Sequence, residues 1–387
     1  MKEKAALLTM AFAALLLTNC SSLSKTSETK QLSTLKDAYK NDFLIGTAVN
    51  VNQIKETDPR MAEVEVTHFN AVTPENIMKA EMLQPEKGRY DFELADQLVE
   101  QAKRRNMVIN AHALIWHSQL PSFVRRMKDA DSVKHFFKDH ITTVATRYKD
   151  KVYSWDVVNE ALNEDGTMRK SVFLDKMGED FVVEAFRLTE AVSPKTKLYY
   201  NDYNIEQPKK RAGAIRLIKQ IQAAGVRIDG VGIQGHWNVN NIPMKDIEDS
   251  ILEFAALGVD VMFTELDISV LPHPFQSATA DVSARAEYQA KMNPYAAGLP
   301  DSVQNKLADG YEALFRLFLK HKDKVGRVTL WGVSDADSWL NNWPVRGRTN
   351  YPLLFDRELQ PKRAFHQIMN IKKDVSLTQG TNHGKLN

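Results

Sequence analysis

The 387-residue sequence has very little cysteine and no excess of charge of either sign. Its single cysteine, Cys20, cannot form a disulfide within the chain or build a cysteine metal cluster. Basic and acidic residues number 51 and 49, so electrostatic capture of nucleic acid has no support and no nucleic-acid partner is expected. Apolar residues make up 43% of the chain, which is enough to bury a large core.

The N-terminal segment has the features of an export signal. Two lysines precede an apolar run, residues 5–17, that is too short to span a bilayer comfortably. Leu-Thr-Asn-Cys at 17–20 resembles the cleavage box of bacterial lipoproteins, in which the cysteine is lipidated. We therefore predict a signal peptide at residues 1–19, lipidation of Cys20 and a flexible Ser/Thr-rich tether at 20–38. The chain would then be an exported, membrane-anchored bacterial lipoprotein of the outer membrane or cell surface; an ordinary secretory signal with a chance cysteine is the alternative.

Eight runs of strand character follow along the chain, separated by helical patterns. The runs span residues 44–50, 69–76, 108–116, 152–160, 197–204, 230–236, 260–269 and 327–335. One helical pattern places these residues on a single face: Val133, Phe136, Phe137, His140, Ile141, Val144 and Tyr148. Strand-helix alternation repeated eight times predicts an α/β fold, a single (β/α)8 TIM barrel over residues 39–373, followed by a disordered tail at 374–387.

Each predicted strand starts with apolar residues and finishes with polar or aromatic ones. A barrel brings the C-terminal ends of its strands to one face, where the active sites of such enzymes lie. Two of these end residues are glutamates, Glu160 and Glu265. Cleaving a glycosidic bond takes two carboxyl groups, one to protonate the leaving oxygen and one to attack the sugar or activate water. The pattern therefore indicates a glycosidase, and the simpler alternative is two solvated glutamates at strand ends.

Several strand-end segments resemble those of the glycoside hydrolase family 10 xylanases, which are retaining enzymes on this barrel. The resemblance rests on Thr-Pro-Glu-Asn-Ile-Met-Lys at 73–79, the His-to-Pro stretch at 112–121, Asn-Glu at 159–160, Thr-Glu-Leu-Asp at 264–267, and the segment between two tryptophans at 331–339. It extends from about residue 43 to residue 365, nearly all of the chain after the tether. Ala111 and Ala113 depart from it, because the family more often has Gly and Thr at these positions.

The resemblance implies a role for each matching residue. Glu160 is the expected acid/base and Glu265 the expected nucleophile, and a retaining mechanism places their carboxyl groups about 5 to 5.5 Å apart. His236 would contact the nucleophile, with Asp267 holding its other ring nitrogen. The expected substrate-binding residues are Glu75, Asn76, Lys79, His112, Trp116, Gln119, Asn159, Tyr203, Gln234, His236, Trp331 and Trp339. Indoles suit this role because the apolar face of a pyranose ring stacks on them.

Two patterns could indicate a metal or a nucleotide instead. The histidines at 112 and 117 lack a third ligand and the His-Glu-x-x-His spacing, so no metal site is predicted. Residues 230–235 fit the G-x-G-x-x-G pattern, but the third glycine does not open a helical pattern, so dinucleotide binding is rejected. No cofactor is expected. The long segment 271–300, which follows the seventh strand and contains several prolines, is expected to shape the mouth of a cleft.

These observations predict a retaining endo-1,4-β-xylanase that hydrolyses internal bonds of xylan. Xylan or a xylo-oligosaccharide is the expected partner, and a monomer is the expected state. A related barrel glycosidase acting on β-1,4-glucan or mannan is one alternative, because glucose and mannose differ from xylose by a hydroxymethyl group. A surface lipoprotein that binds glycan without cutting it is another, although binding alone needs no acid and nucleophile.

Overall fold

The computed structural model describes residues 34–275 and 279–382, with residues 374–382 described by their backbone alone. Its strands are Leu44–Val49 (β1), Ala71–Pro74 (β2), Val108–Trp116 (β3), Ser154–Asn159 (β4), Lys197–Asp202 (β5), Gly230–Ile233 (β6), His236–Asn238 (β7), Asp260–Ser269 (β8) and Val325–Leu330 (β9). Its α-helices are Leu35–Tyr39 (α1), Val51–Ile54 (α2), Pro59–His68 (α3), Ala80–Leu83 (α4), Glu93–Arg104 (α5), Ser122–Arg125 (α6), Ala130–Arg147 (α7), Val172–Met177 (α8), Phe181–Val192 (α9), Pro208–Ala223 (α10), Met244–Ala255 (α11), Asp301–Lys320 (α12) and Arg363–Asn382 (α13).

Eight of these strands form a closed barrel. Neighbouring strands pair in the order β6-β5-β4-β3-β2-β1-β9-β8, and β6 also pairs with β8, which closes the sheet. Every pair is parallel, including the closing pair, in which Ile233 lies opposite Phe263. The predicted (β/α)8 barrel is therefore confirmed, and the C-terminal ends of its strands share one face.

The helices pack their apolar faces against the outside of the barrel. In α7, the residues predicted to share a face are all buried, namely Val133, Phe136, Phe137, His140, Ile141, Val144 and the following Tyr148. The helix begins after Asp129, whose carboxylate accepts a hydrogen bond from the Ser132 N–H and so satisfies a free donor of the first turn. Burial of such a face supplies most of the stability of a helix in a protein.

Six of the eight predicted strands end earlier than the sequence pattern indicated, and the ends of the sixth and fourth runs position candidate site residues. The sixth run ends at Ile233. Gly235 then adopts a φ of 85°, and His236 begins the separate short strand β7, which pairs with the end of β8. The fourth run ends at Asn159 because Glu160 adopts a φ of 55°, in the left-handed region that costs free energy for residues with a Cβ. Strain of this kind is concentrated at functional sites.

Both ends of the described chain carry helices where the sequence pattern indicated irregular structure. Helix α1 includes the last four residues of the predicted tether, 35–38, and the first residue of the predicted barrel, Tyr39. Leu35 and Tyr39 are fully buried, and the Tyr39 hydroxyl donates a hydrogen bond to a backbone carbonyl of α13 at 2.7 Å. Helix α13 continues past the predicted boundary at residue 373 to Asn382.

The predicted signal peptide, most of the tether and Cys20 lie outside the described residues. Among the helices of residues 34–275 and 279–382, none is long and apolar enough to cross a membrane.

Candidate active site

A cavity of about 440 Å³ lies at the C-terminal ends of the barrel strands. It is lined by Glu75, Asn76, Lys79, His112, Trp116, Gln119, Asn159, Glu160, Gln234, His236, Glu265, Ala280, Val282, Trp331 and Trp339. Thirteen of these fifteen residues were predicted as site residues from the sequence. The barrel therefore brings into one cavity side chains that lie up to about 260 positions apart in the chain.

A larger cavity, of about 980 Å³, lies beside the start of α7 and is lined by Phe123, His135 and Asp139 among others. It contains neither Glu160 nor Glu265. The candidate active site is therefore identified by its paired carboxyl groups and not by the size of the cavity.

Glu160 is held at the end of β4 by neutral hydrogen-bond donors. The indole Nε1 of Trp116 donates to its Oε2 at 2.9 Å, and the amide Nε2 of Gln234 donates to its Oε1 at 3.0 Å. Its backbone N–H donates to the carbonyl of Asn201 in the neighbouring strand at 2.9 Å. With 4% of its surface exposed, the side chain can meet a substrate only from within the cavity.

Glu265 is held inside β8 by an amide and an imidazole. The side-chain amide of Asn201 donates to its Oε1 at 2.8 Å, and Nε2 of His236 lies 3.2 Å from its Oε2. Burial raises the pKa of Glu265, but its hydrogen bonds from His236 and Asn201 and the positive charge of His236 outweigh this effect, and the net pKa lies below its usual value. Glu265 is therefore a carboxylate at neutral pH.

The imidazole of His236 is held in turn by Asp267. Its Nδ1 lies 3.0 Å from Oδ1 of Asp267, while the indole Nε1 of Trp339 donates to Oδ2 of Asp267 at 2.8 Å. Burial lowers the pKa of His236, but the charge and hydrogen bond of Asp267, reinforced by those of Glu265, raise it to about 10. The imidazole is thus an imidazolium at neutral pH, and both of its N–H groups donate to carboxylates.

Two amides connect the surroundings of the two glutamates. Asn201 Nδ2, which donates to Glu265, lies 2.9 Å from the side-chain amide of Asn159. The Asn159 amide is in turn 3.3 Å from Oε1 of Glu160 and 3.4 Å from the amide nitrogen of Gln234. Asn159 therefore lies between the two carboxyl groups, where it can meet the sugar on which both would act.

Sequence reasoning did not assign a role to Asn201, although it lies at the end of a predicted strand. Its Oδ1 accepts from the Thr264 hydroxyl at 2.6 Å, which aims its Nδ2 at Glu265. Space for this amide comes from β6, because a Cβ added at Gly232 would lie 2.4 Å from Oδ1 of Asn201. The first glycine of the same motif is similar, since a Cβ at Gly230 would lie 2.8 Å from the ring of Tyr199. The glycine pattern at 230–235 thus serves packing inside the barrel.

One wall of the cavity is a polar cluster from the segments that follow β2 and β3. The ammonium of Lys79 donates to Oδ1 of Asn76 at 3.1 Å and to Oε1 of Gln119 at 2.9 Å, and it lies 4.5 Å from the ring centre of Trp116. Burial lowers the pKa of Lys79, and burial raises the pKa of Glu75 on the same wall. Such a cluster can exchange hydrogen bonds with several sugar hydroxyls.

A second wall of the cavity consists of indoles. Trp331 packs edge-on against the His112 ring with centroids 5.7 Å apart, and Trp339 lies 4.9 Å from the His236 ring. Trp339 also stacks on Trp343 at 4.4 Å with an interplanar angle of 15°, so a third indole supports this wall from behind. Trp343 was not among the predicted site residues.

Tyr203 is the one predicted substrate-binding residue that does not line this cavity. It is 3% exposed, and its hydroxyl accepts a hydrogen bond from Arg169 at 2.5 Å. Arg169 also forms an ion pair with Asp281 at 3.3 Å, which fastens the long segment after β8 to the loop after β4. That segment contributes Ala280 and Val282 to the cavity wall. Its length predicted a role at the cleft mouth, but neither residue has a chemical signature that sequence reasoning could detect.

The described side chains contain no group of three or more His, Cys, Asp or Glu that could hold a metal ion.

Comparison with known proteins identifies close relatives of this chain. Residues 34–371 match the sequence model of the family described as Glycosyl hydrolase family 10. The chain is 42% identical over 343 residues to Endo-1,4-beta-xylanase A of Xylanibacter ruminicola, covering 87% of this chain and 93% of the relative. It is 40% identical over 341 residues to Beta-1,4-xylanase of Dictyoglomus thermophilum, covering 88% and 91%.

Solved structures agree in fold. A GH10 endoxylanase from a sugarcane soil metagenome superposes with a TM-score of 0.84 at 44% identity, covering 87% of this chain and 99% of the other. Xylanase XynB of Paenibacillus barcinonensis gives a TM-score of 0.78 at 35% identity, covering 88% and 99%.

Proposed function

Because the chain belongs to glycosyl hydrolase family 10, we propose that it is a retaining endo-1,4-β-xylanase that hydrolyses internal β-1,4-xylosidic bonds of xylan. One observation carries the mechanism. A single cavity contains a carboxylate bonded to an imidazolium, Glu265, and a second carboxyl group, Glu160, whose direct side-chain donors are neutral. This difference favours the charged state at Glu265 and so separates the nucleophile from the acid.

In the first step, a carboxylate oxygen of Glu265 attacks the anomeric carbon, and the bond from this carbon to the bridging oxygen breaks. Glu160 transfers its proton to that oxygen, so the leaving chain departs with a hydroxyl group and a glycosyl ester on Glu265 remains. In the second step, Glu160 takes a proton from a water molecule whose oxygen attacks the anomeric carbon and releases Glu265. Two inversions at the same carbon leave the β configuration unchanged.

The surrounding residues take supporting roles in this proposal. Asn159, between the two carboxyl groups, would bond the 2-hydroxyl of the reacting sugar, a contact that strengthens in the oxocarbenium-like transition state. Glu75 and Lys79 would bind sugars on the glycone side. Trp331 and Trp339 would stack on the reacting sugar, since indole faces match apolar pyranose faces.

Two measurements test this mechanism: the anomeric configuration of the product, and the dependence of the rate on the leaving group. Proton NMR of a xylo-oligosaccharide digest should show the β anomer as the first product, and initial release of the α anomer would contradict double displacement. Glu265→Ala should abolish turnover of both xylan and aryl xylosides. Glu160→Ala should spare the first step for aryl xylosides with good leaving groups, and an equal loss on every leaving group would exclude its role as the acid.

Substrate class depends on the hydroxymethyl group that xylose lacks. The indole wall and the nearby segment with Ala280 and Val282 narrow the cavity, which favours the smaller sugar. Initial rates on xylan, β-1,4-glucan and β-1,4-mannan should rank xylan first, and equal rates would support the broader barrel glycosidase. Binding to xylan without release of reducing ends would support the non-catalytic alternative.

We also propose that the enzyme is exported and anchored to a membrane through lipidated Cys20. The support is the apolar run at 5–17 and the Leu-Thr-Asn-Cys box at 17–20. Two acyl signals are needed for stable anchoring, as bacterial lipidation provides. Cys20→Ala should move the protein from the membrane fraction to the soluble fraction of a fractionated cell, and an unchanged distribution would contradict lipidation.

A monomer is the simplest functional unit, because one chain supplies every residue that lines the described cavity. Light scattering after size exclusion should give the mass of one mature chain, and a larger mass would contradict this proposal.

A further inference from the structure

A continuous line of hydrogen-bonded side chains runs through the barrel interior from the base of the barrel to the active-site cavity. Nη1 of Arg327 donates to Oγ of Ser154 at 3.2 Å, and this hydroxyl donates to Oδ1 of Asn110 at 2.6 Å. Nδ2 of Asn110 donates to Oδ2 of Asp156 at 3.0 Å. The same Oδ2 lies 2.8 Å from Nδ1 of His112, which lines the cavity.

Burying Arg327 costs free energy, so a contribution to stability alone does not explain its position. It lies on β9 with 1% of its surface exposed, and burial lowers the pKa of its guanidinium. Among the described residues, its Nε and Nη2 have no hydrogen-bond partner. A buried charge that is incompletely hydrogen-bonded destabilises a fold, and an apolar side chain of similar volume often does so less. A role in the active site would account for the position better than a structural role.

The chemistry of Arg327 sets the direction of every hydrogen bond in the line. A guanidinium can only donate hydrogen bonds, so Oγ of Ser154 accepts one from Arg327. The Ser154 hydroxyl is then free to donate its own hydrogen bond to Asn110. Oδ1 of Asn110 then accepts, which turns its NH₂ group toward Asp156. A carboxylate that accepts from this NH₂ group can also accept from the Nδ1–H of His112. Nε2 is then the ring nitrogen left for the cavity.

We propose that Arg327 is a positioning residue for catalysis, which acts through Ser154, Asn110 and Asp156 to fix the Nδ1–H form and the orientation of His112. Without a donor at position 327, the Ser154 hydroxyl can rotate and the Asn110 amide can turn its oxygen toward Asp156. The carboxylate would then face a second acceptor, and its hold on the imidazole would weaken. The line ends at His112 in the cavity lining, whereas Glu265 is held by a different histidine, His236.

The first test observes His112 directly and does not depend on the proposed function. Ring ¹⁵N-labelled histidine should show the Nδ1–H form at His112 in the unaltered protein, with the signal assigned by its loss in His112→Gln. Arg327→Met should convert this signal to a mixture of tautomers, and Arg327→Lys, which keeps a donor without an acceptor, should restore it. Buried His140 is the internal control, because its Nδ1 lies 3.1 Å from Gln84 and is not part of the line.

The second test measures catalysis and rests on the proposed function. Arg327→Met should lower kcat on xylotriose by roughly fivefold to tenfold, the size expected for loss of one well-placed hydrogen bond, with KM little changed. Arg327→Lys should recover most of that loss. Ser154→Ala keeps the guanidinium but breaks the line, so it should reproduce the Arg327→Met effects and serves if that variant does not fold.

An unchanged His112 signal in folded Arg327→Met or Ser154→Ala would overturn the proposal. Equal changes at His112 and His140 would also overturn it, because they would indicate a general structural effect. A changed His112 signal together with no xylan hydrolysis by any form, including the unaltered protein, would instead contradict the proposed function and leave the positioning role in place.

Discussion

The bond between His236 and Glu265 offers a quantitative test of how the nucleophile is kept charged. In His236→Gln, an amide N–H can occupy the position of Nε2, so the hydrogen bond at 3.2 Å is replaced by one from a neutral donor. A charge-assisted hydrogen bond contributes about 1.5–3 kcal/mol and a neutral one about 1 kcal/mol. The difference of about 1–2 kcal/mol corresponds to a rise of roughly one unit in the pKa of Glu265.

The sign of the effect on activity follows from the role of Glu265. Attack needs the carboxylate, so activity is present above the pKa of Glu265 and is lost as the pH falls through it. Because contacts with His236 lower that pKa, the substitution should move the acid limb of the kcat/KM profile to higher pH by about one unit. An acid limb that stays in place in a folded His236→Gln enzyme would refute this account.

A matched control is available elsewhere in the chain. Nε2 of His321, directly after α12, lies 2.7 Å from Oε1 of Glu248 on α11, and this histidine–glutamate pair is outside the cavity. His321→Gln makes the same chemical change there and should leave the acid limb unchanged. A shift of equal size in both variants would indicate a nonspecific effect on the protein.

Three further predictions follow from the site. Gly232→Ala places a Cβ 2.4 Å from Oδ1 of Asn201, so kcat should fall by roughly tenfold or more in steady-state assays, and unchanged kcat would show that Asn201 does not position the nucleophile. Asp281→Asn removes the ion pair with Arg169, so KM for long xylo-oligosaccharides should rise by about fivefold or less with kcat preserved, whereas a loss confined to kcat would contradict this. The pKa of His236 is about 10 in the folded chain, so its contribution to the free energy of unfolding should be complete below the unfolded value of about 6.5 and lost as the pH rises toward 10. Urea midpoints of the unaltered protein and His236→Gln should therefore converge across that window.

The barrel could be predicted from the sequence because periodicity and burial are local properties. Every residue of the predicted apolar stripe of α7 is buried. The strand ends were less predictable, since a turn depends on φ at single residues. Nothing in the pattern around Glu160 indicates that the chain leaves the extended region there, and of the three glycines at 230–235 only Gly235 has a positive φ, which the sequence does not single out. The helices at the two ends depend on burial against distant parts of the chain, such as the contact of Tyr39 with α13, and composition alone cannot reveal such contacts.

Site residues could be predicted from the sequence where they belong to a recognisable motif. They could not be predicted where their role depends only on contacts within the folded chain. Asn201 donates to the proposed nucleophile, Glu265, from 64 positions away in the sequence, and in the sequence it is indistinguishable from other polar residues at strand ends. Ala280 and Val282 shape the cavity through their backbone path. Tyr203, in contrast, carries a matching motif but does not line the described cavity, and its hydroxyl accepts a hydrogen bond from Arg169.

The two carboxyl groups proposed for catalysis show why residue type alone cannot assign chemistry. Both are glutamates, one directly after β4 and the other within β8, and both are almost completely buried, with 4% and 5% of their surface exposed. Burial therefore does not distinguish them, and the difference must come from their partners. Glu265 has an imidazolium whose charge is sustained by Asp267, while Glu160 has an indole and an amide. If these hydrogen-bond partners set the roles of the two carboxyl groups, changing a partner and leaving both glutamates in place should be enough to reduce the difference between their charge states. In His236→Gln both carboxyl groups then have only neutral side-chain donors, so a loss of rate at acid pH without any change at the glutamates themselves is the outcome that this argument requires.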